Sequence, residues 1–162
     1  MKKWLVVGSL ILGLGYWSWR EITAPAPGEL VTDLGREHVA VGTKLEETDE
    51  PPTSGPHYGE WTKRGVYEQA IDDGYLIHSL EHGYIVISYK CEGGCEELKK
   101  RLREFYEQHK QKRLIVVPRL SLDVPLALTA WGRILKLTEW DEAKAEEFLR
   151  AWENRGPEKT ME

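Results

Sequence analysis

Three of the chain's five histidines fall in two short segments, Thr53-Ser54-Gly55-Pro56-His57-Tyr58 and His78-Ser79-Leu80-Glu81-His82-Gly83. Imidazole is the commonest transition-metal ligand and the side chain most readily charged near neutral pH. The i, i+4 spacing sets His78 and His82 on one side of a helical turn, as in H-x-x-x-H zinc sites. The general base of an HExxH metalloprotease would stand at position 79, which is Ser79, so that chemistry fails on its own motif. A third ligand must come from elsewhere, and His57 is the candidate. Glu81 either orients a ligand or serves as a further one. Histidines that only donate to backbone carbonyls are structural, and that reading stands beside the metal one.

The elements around these residues explain how they are held. Pro51-Pro52-Thr53-Ser54-Gly55-Pro56 cannot be regular helix or central strand, because its three prolines fix φ and remove donors. It is a rigid irregular loop, the kind of segment that commonly presents binding residues. Gly83 ends the turn that carries His78 and His82. Tyr84-Ile85-Val86-Ile87-Ser88-Tyr89 is then the clearest strand, almost continuously apolar and so expected to be central and covered on both faces. Cys95 to Lys112 reads as a helix, with Leu98, Leu102, Phe105 and Tyr106 on one face. Leu114-Ile115-Val116-Val117 is a second strand, ended by Pro118. Leu126 to Trp131 is a third, with Ile134 to Leu137 continuing it past Gly132. Thr138-x-x-Asp141 reads as a capping box opening a last helix to Trp152, with Ala145, Phe148, Leu149 and Trp152 as its apolar stripe. Residues Glu29 to Glu50 are polar and contribute at most an edge strand, and residues from Asn154 onward read as a frayed polar tail.

The class expected is α+β: a single compact domain in which a small sheet carries packed helices, with a thioredoxin-like element order. The chain divides into 1–22 as signal anchor or signal peptide, 23–28 as a Pro-rich linker, 29–155 as the globular domain and 156–162 as a polar tail. Met1-Lys2-Lys3 supplies a positive start, and Trp4 through Trp19 is uncharged. At ~1.5 Å per residue that run covers roughly 24 Å as a helix, ample for a secretory segment and marginal for a membrane span. Tyr16, Trp17 and Trp19 read as interfacial anchors, and no clear cleavage site follows. The expected location is therefore the cell membrane, single-pass, with the domain on the extracytoplasmic side. Export permits a disulfide between Cys91 and Cys95, although their C-x-x-x-C spacing leaves a disulfide, a soft-metal site and no role all open. Net charge is -5 with 30% charged residues and no evident basic patch, so nucleic acid is not an expected partner.

The TSGPH segment (Thr53 to His57), HSLEHG (His78 to Gly83) before an apolar strand, and LTAWGR (Leu128 to Arg133), in that order, resemble a bacterial and eukaryotic family known only as a domain of unknown function. The likeness spans roughly Thr48 to Leu137. It implies that His57, His78, Glu81, His82 and Trp131 are motif positions, that an export signal or anchor is common, and that some relatives carry a cysteine near Cys91. It implies no activity. Trp131 and Gly132 are expected to support the fold, with Arg133 in reach of Glu81.

The function expected is an extracytoplasmic, membrane-tethered transition-metal protein that holds copper or zinc through His57, His78 and His82, in metal handling or delivery to a protein partner. Two alternatives stay open. One is a hydrolase or other enzyme with a histidine-centred site, with or without metal: Ser54 or Ser79 lies near an imidazole, although the G-x-S-x-G elbow is absent, and His57 with Glu81 could do metal-free acid–base work. The other is a cell-surface interaction domain whose histidines are structural.

Overall fold

The computed structural model describes residues 26–45 and 51–160. The expected anchor, the first residues of the linker and the acidic run Glu46 to Glu50 lie outside them. Among the described residues no helix is long and apolar enough to cross a membrane.

Among the described residues eight strands and three helices follow in order. They are β1 (Glu29–Leu30), β2 (His38–Val39), β3 (His57–Tyr58), β4 (Gly65–Val66), α1 (Asp73–Glu81), β5 (Ile85–Tyr89), α2 (Glu96–Gln108), β6 (Leu114–Pro118), β7 (Leu126–Ala130), β8 (Arg133–Leu137) and α3 (Glu142–Trp152). Six strands form one mixed sheet in the order β1-β8-β7-β5-β6-β4, and β2 and β3 form a separate parallel pair. The chain is thus a single α+β domain. The polar stretch before Glu50 yields two short strands, of which β1 is an edge strand, paired antiparallel with β8.

Every residue of β5 is buried, because both faces of the sheet are covered. Ile85 and Ile87 join Leu114, Val116, Leu102, Phe105, Phe148 and Leu149 in the larger core, under α2 and α3. Val86 turns the other way and meets Ile115, Val117, Leu76 and Leu80, under α1. Two-residue alternation along β5 and β6 therefore assigns one face to each helical layer. Burying a large aliphatic side chain at such positions is worth about 1.5–3 kcal/mol.

Three local expectations need correction. Residues 133–137 do not continue β7. Gly132 sits at φ 65°, where the chain reverses, and β8 returns antiparallel with Ala130 opposite Arg133. Thr138 does not cap the last helix; the cap is Asp141, whose carboxylate accepts from the Lys144 N–H at 3.1 Å. The residues after Trp152 do not fray. Asn154 N–H donates to the Gly83 carbonyl at 2.8 Å, Glu158 N–H to the Glu81 carbonyl at 3.1 Å, and Arg113 Nη2 to the Thr160 carbonyl at 2.7 Å. A Cβ on Gly156 would lie 2.0 Å from the Glu81 oxygen, so only glycine lets this strap lie against the end of α1.

Cys91 and Cys95 are joined as a disulfide with Cα atoms 6.0 Å apart. The bridge closes the loop after β5, at the opposite end of that strand from His82.

Candidate metal centre

Helix α1 delivers two of the chemical residues and β3 a third. Asp72 caps α1 by accepting from the Gly74 N–H at 2.9 Å, and Gly83 at φ 80° ends it. His78 and Glu81, three residues apart, lie on one face of the last turn. His57 leaves the proline-rich loop on β3. Parallel pairing of β3 with β2 sets His38 directly opposite His57.

His38, His57, His78 and Glu81 each place one ligand atom so that no two are more than 4.8 Å apart. His57, His78 and Glu81 are buried; His38 is exposed. Bonds of about 2.0–2.1 Å to a tetrahedral ion require ligand–ligand edges of roughly 3.3 Å. The separations of His57 Nε2 from Glu81 Oε2, 3.0 Å, and of His38 Nε2 from the same oxygen, 3.7 Å, bracket that edge. This group could hold a metal ion.

The hydrogen bonds fix which nitrogen is free. His57 Nδ1 is 2.8 Å from the Gly55 carbonyl, and His78 Nδ1 is 2.6 Å from the Tyr58 carbonyl. A carbonyl only accepts, so both Nδ1 atoms carry the proton and, in the neutral rings, both Nε2 atoms present a lone pair. That is how protein-bound metal histidines are oriented. His57 Nε2 then faces a carboxylate oxygen, acceptor to acceptor, which requires a proton or a cation between them. Burial, with smaller effects from neighbouring imidazoles opposing its carbonyl bond, lowers the His78 pKa below the usual 6.5, so the ring favours the neutral form that binds metal.

The surroundings also favour a cation. Glu81 is 2% exposed and sits at the C-terminal end of α1, where the helix dipole is negative. The only cationic side chain paired with it among the described residues, the histidines apart, is Arg36, at 3.7 Å and 58% exposed. Aromatic rings wall the group. Trp131 meets His57 edge-on at 6.4 Å, and its indole N–H donates to Asp33 at 3.1 Å. Trp61 tilts over His78 and His82 at 5.6 and 5.0 Å.

Of the three histidines expected as ligands, His57 and His78 converge with Glu81, and His82 stands outside that group. His82 Nε2 lies 3.0 Å from His78 Nε2 and 3.8 Å from Glu158 Oε1, while its Nδ1 is buried with no partner. It therefore donates Nε2–H to the His78 Nε2 lone pair, a hydrogen bond that a metal ion held at that nitrogen would replace. His38 fills the position expected of His82. Its sequence context is a polar stretch with no motif; only the parallel register with β3 brings it in. The expected Arg133–Glu81 pair is not formed among the described residues; the Arg133 guanidinium lies over the Trp152 ring at 4.5 Å.

Both serines named for the hydrolase alternative bond to backbone. Ser79 Oγ accepts from the Thr62 N–H and donates to the Thr62 carbonyl, and Ser54 Oγ accepts from the Leu34 N–H. Both hydroxyls are committed to backbone.

Fold and site together define an α+β domain with a histidine–glutamate cluster at the end of α1. The chain belongs to the DUF3105 family, described as a protein of unknown function, whose model matches residues 38–162. That span begins at His38 and includes all four residues of the cluster. Searches of curated proteins and of solved structures gave no match.

Proposed function

We propose that this protein binds a transition-metal ion through His38, His57, His78 and Glu81, and that it handles metal rather than catalysing a reaction. The observation that carries this reading is the contact of His57 Nε2 with the buried Glu81 carboxylate: with Nδ1 committed to the Gly55 carbonyl, a proton or a metal ion must lie between the two, and His38 and His78 stand close enough to complete a metal site. Three imidazoles and a carboxylate suit zinc or copper(II). Copper(I) is disfavoured, because both cysteines are consumed in the disulfide and the two methionines are terminal.

The domain works on the extracytoplasmic side of a membrane, tethered by the hydrophobic run Trp4 to Trp19. Support for this is the positive start and the uncharged run of the sequence, together with a disulfide of the kind that persists in oxidising compartments. Delivery to a protein partner is the corresponding role. The order β8-β7-β5-β6 and the succession β5-α2-β6-β7-β8-α3 support reading the fold as thioredoxin-like, a likeness of plan that assigns no activity.

The test is metal content of the full chain, purified without a histidine tag, beside a His57→Ala/His78→Ala variant. Stoichiometric zinc or copper in the parent and none in the variant is expected. No ion in the parent after reconstitution with either metal removes the reading.

A further inference from the structure

We propose that His38 is the exchangeable ligand of this centre, the side from which the ion is taken up and passed on; the inference rests on the metal-binding reading above. The four ligands are not equivalent. His57, His78 and Glu81 are 0%, 4% and 2% exposed, whereas the His38 side chain is 52% exposed. Hydrogen bonds to Gly55 and Tyr58 lock the rings of His57 and His78, and the Asn154–Thr160 strap closes over the end of α1 that carries Glu81. Among the described residues no hydrogen bond holds the His38 ring; its contacts are the Glu81 ion pair and ring packing against His57 and His78, at 4.8 and 4.9 Å. Its backbone is held by a two-residue parallel strand pair, with Gly55 N–H to Gly35 O and His57 N–H to Glu37 O as flanking bonds.

A buried three-ligand floor with one loosely held ligand facing water is the arrangement that ligand exchange requires. An incoming neutral imidazole, from solution or from the surface of a partner protein, forms its metal–nitrogen bond as the His38 Nε2–metal bond breaks. His38 leaves as a neutral ring, so no proton or electron need move. The three remaining ligands hold the ion during the exchange. Arg36, 58% exposed beside Glu81, stands on the same outer side and takes back the carboxylate charge once the ion has left. The occupant this predicts for the receiving side is a histidine-bearing donor, not a thiol buried in this chain.

The experiment uses the full chain loaded with cobalt(II), whose visible absorption reports coordination, and EDTA as the acceptor. Parent, His38→Ala and His57→Ala are compared, with thermal unfolding of each metal-free protein as the control for folding. The expected result is that His38→Ala still takes up cobalt but loses it to EDTA at least about tenfold faster than the parent. Free imidazole restores its spectrum and slows the loss, while His57→Ala takes up no cobalt and is not rescued, its site being sealed. Loss from His38→Ala at the parental rate overturns the proposal and leaves the metal site standing on its buried ligands. Failure of a folded His38→Ala to hold cobalt even with imidazole present also overturns it, making His38 an integral ligand. A parent that binds no cobalt, zinc or copper defeats the metal reading itself, and this proposal with it.

Discussion

His57 Nε2 lies 3.0 Å from Glu81 Oε2, with the opposite nitrogen of the ring committed to the Gly55 carbonyl. The contact joins β3 to the end of α1 and sets an acceptor against an acceptor. Replacing the carboxylate by an amide separates structure from binding. In Glu81→Gln the side-chain NH2 donates to His57 Nε2, so the metal-free protein should keep or gain stability, by about 1 kcal/mol. Metal affinity should fall at least about tenfold for want of the anionic ligand. Thermal unfolding without metal and a competition titration with a chromophoric chelator read the two effects. A loss of stability with unchanged affinity would mean that the pair is a structural ion pair.

Acidification should destabilise the metal-free protein through His78. Its folded-state pKa is lowered from 6.5, chiefly by burial, so below that value the unfolded chain binds the extra proton and the folded chain resists it. The stability contributed by the neutral ring is fully present above about pH 6.5 and is lost as pH falls from there toward the folded-state pKa. Urea unfolding between pH 7.5 and 5.5 measures the slope, and His78→Gln should flatten it. Protons also compete with metal for the imidazoles, so affinity should fall over the same range. A slope unchanged by His78→Gln would assign the pH dependence to other groups.

Gly156→Ala should detach the C-terminal strap. The new Cβ would meet the Glu81 carbonyl oxygen at 2.0 Å, a backbone atom with no freedom to yield. Overpacking of this kind costs about 1–3 kcal/mol. Faster hydrogen exchange at the Asn154 and Glu158 amides, which bond Gly83 and Glu81, should accompany the loss. Unchanged exchange there would contradict the strap's docking on α1.

Reduction of Cys91–Cys95 should not touch the metal centre. The bridge lies beyond β5, at the end away from His82. Closing so short a loop is worth about 2 kcal/mol in the chain-entropy account. A Cys91→Ser/Cys95→Ser variant should therefore unfold at lower urea concentration with its metal stoichiometry intact. Metal loss in that variant would place the thiols in the metal chemistry after all.

The elements with strong periodicity were legible before any coordinates. β5, β6, β7 and α2 fall where the apolar runs place them, because sheet and helix each bury one repeating set of side chains. The interruptions were harder. Gly132 can continue a strand with a bend or reverse it, and only pairing of β8 with β7 decides. Polar composition suggested that the last residues fray, yet they are held mainly through backbone donors, which composition does not display. The site was half legible for the same reason. His57, His78 and Glu81 announce themselves by the proline loop and the helical spacing, whereas His38 arrives through the register between two strands of two residues each, a long-range pairing with no local signal. His82 shares the helical spacing of a ligand but turns its Nε2 to His78 and Glu158.

X-ray absorption at the metal edge of the loaded full chain tests the central claim most directly. The account predicts a single shell of about four nitrogen and oxygen neighbours near 2.0–2.1 Å, with the outer-shell scattering of imidazole rings and no sulfur. That scattering should diminish in His38→Ala and the spectrum should vanish in His57→Ala/His78→Ala. A sulfur shell, or a spectrum unaltered in the double variant, would contradict a centre built from His38, His57, His78 and Glu81.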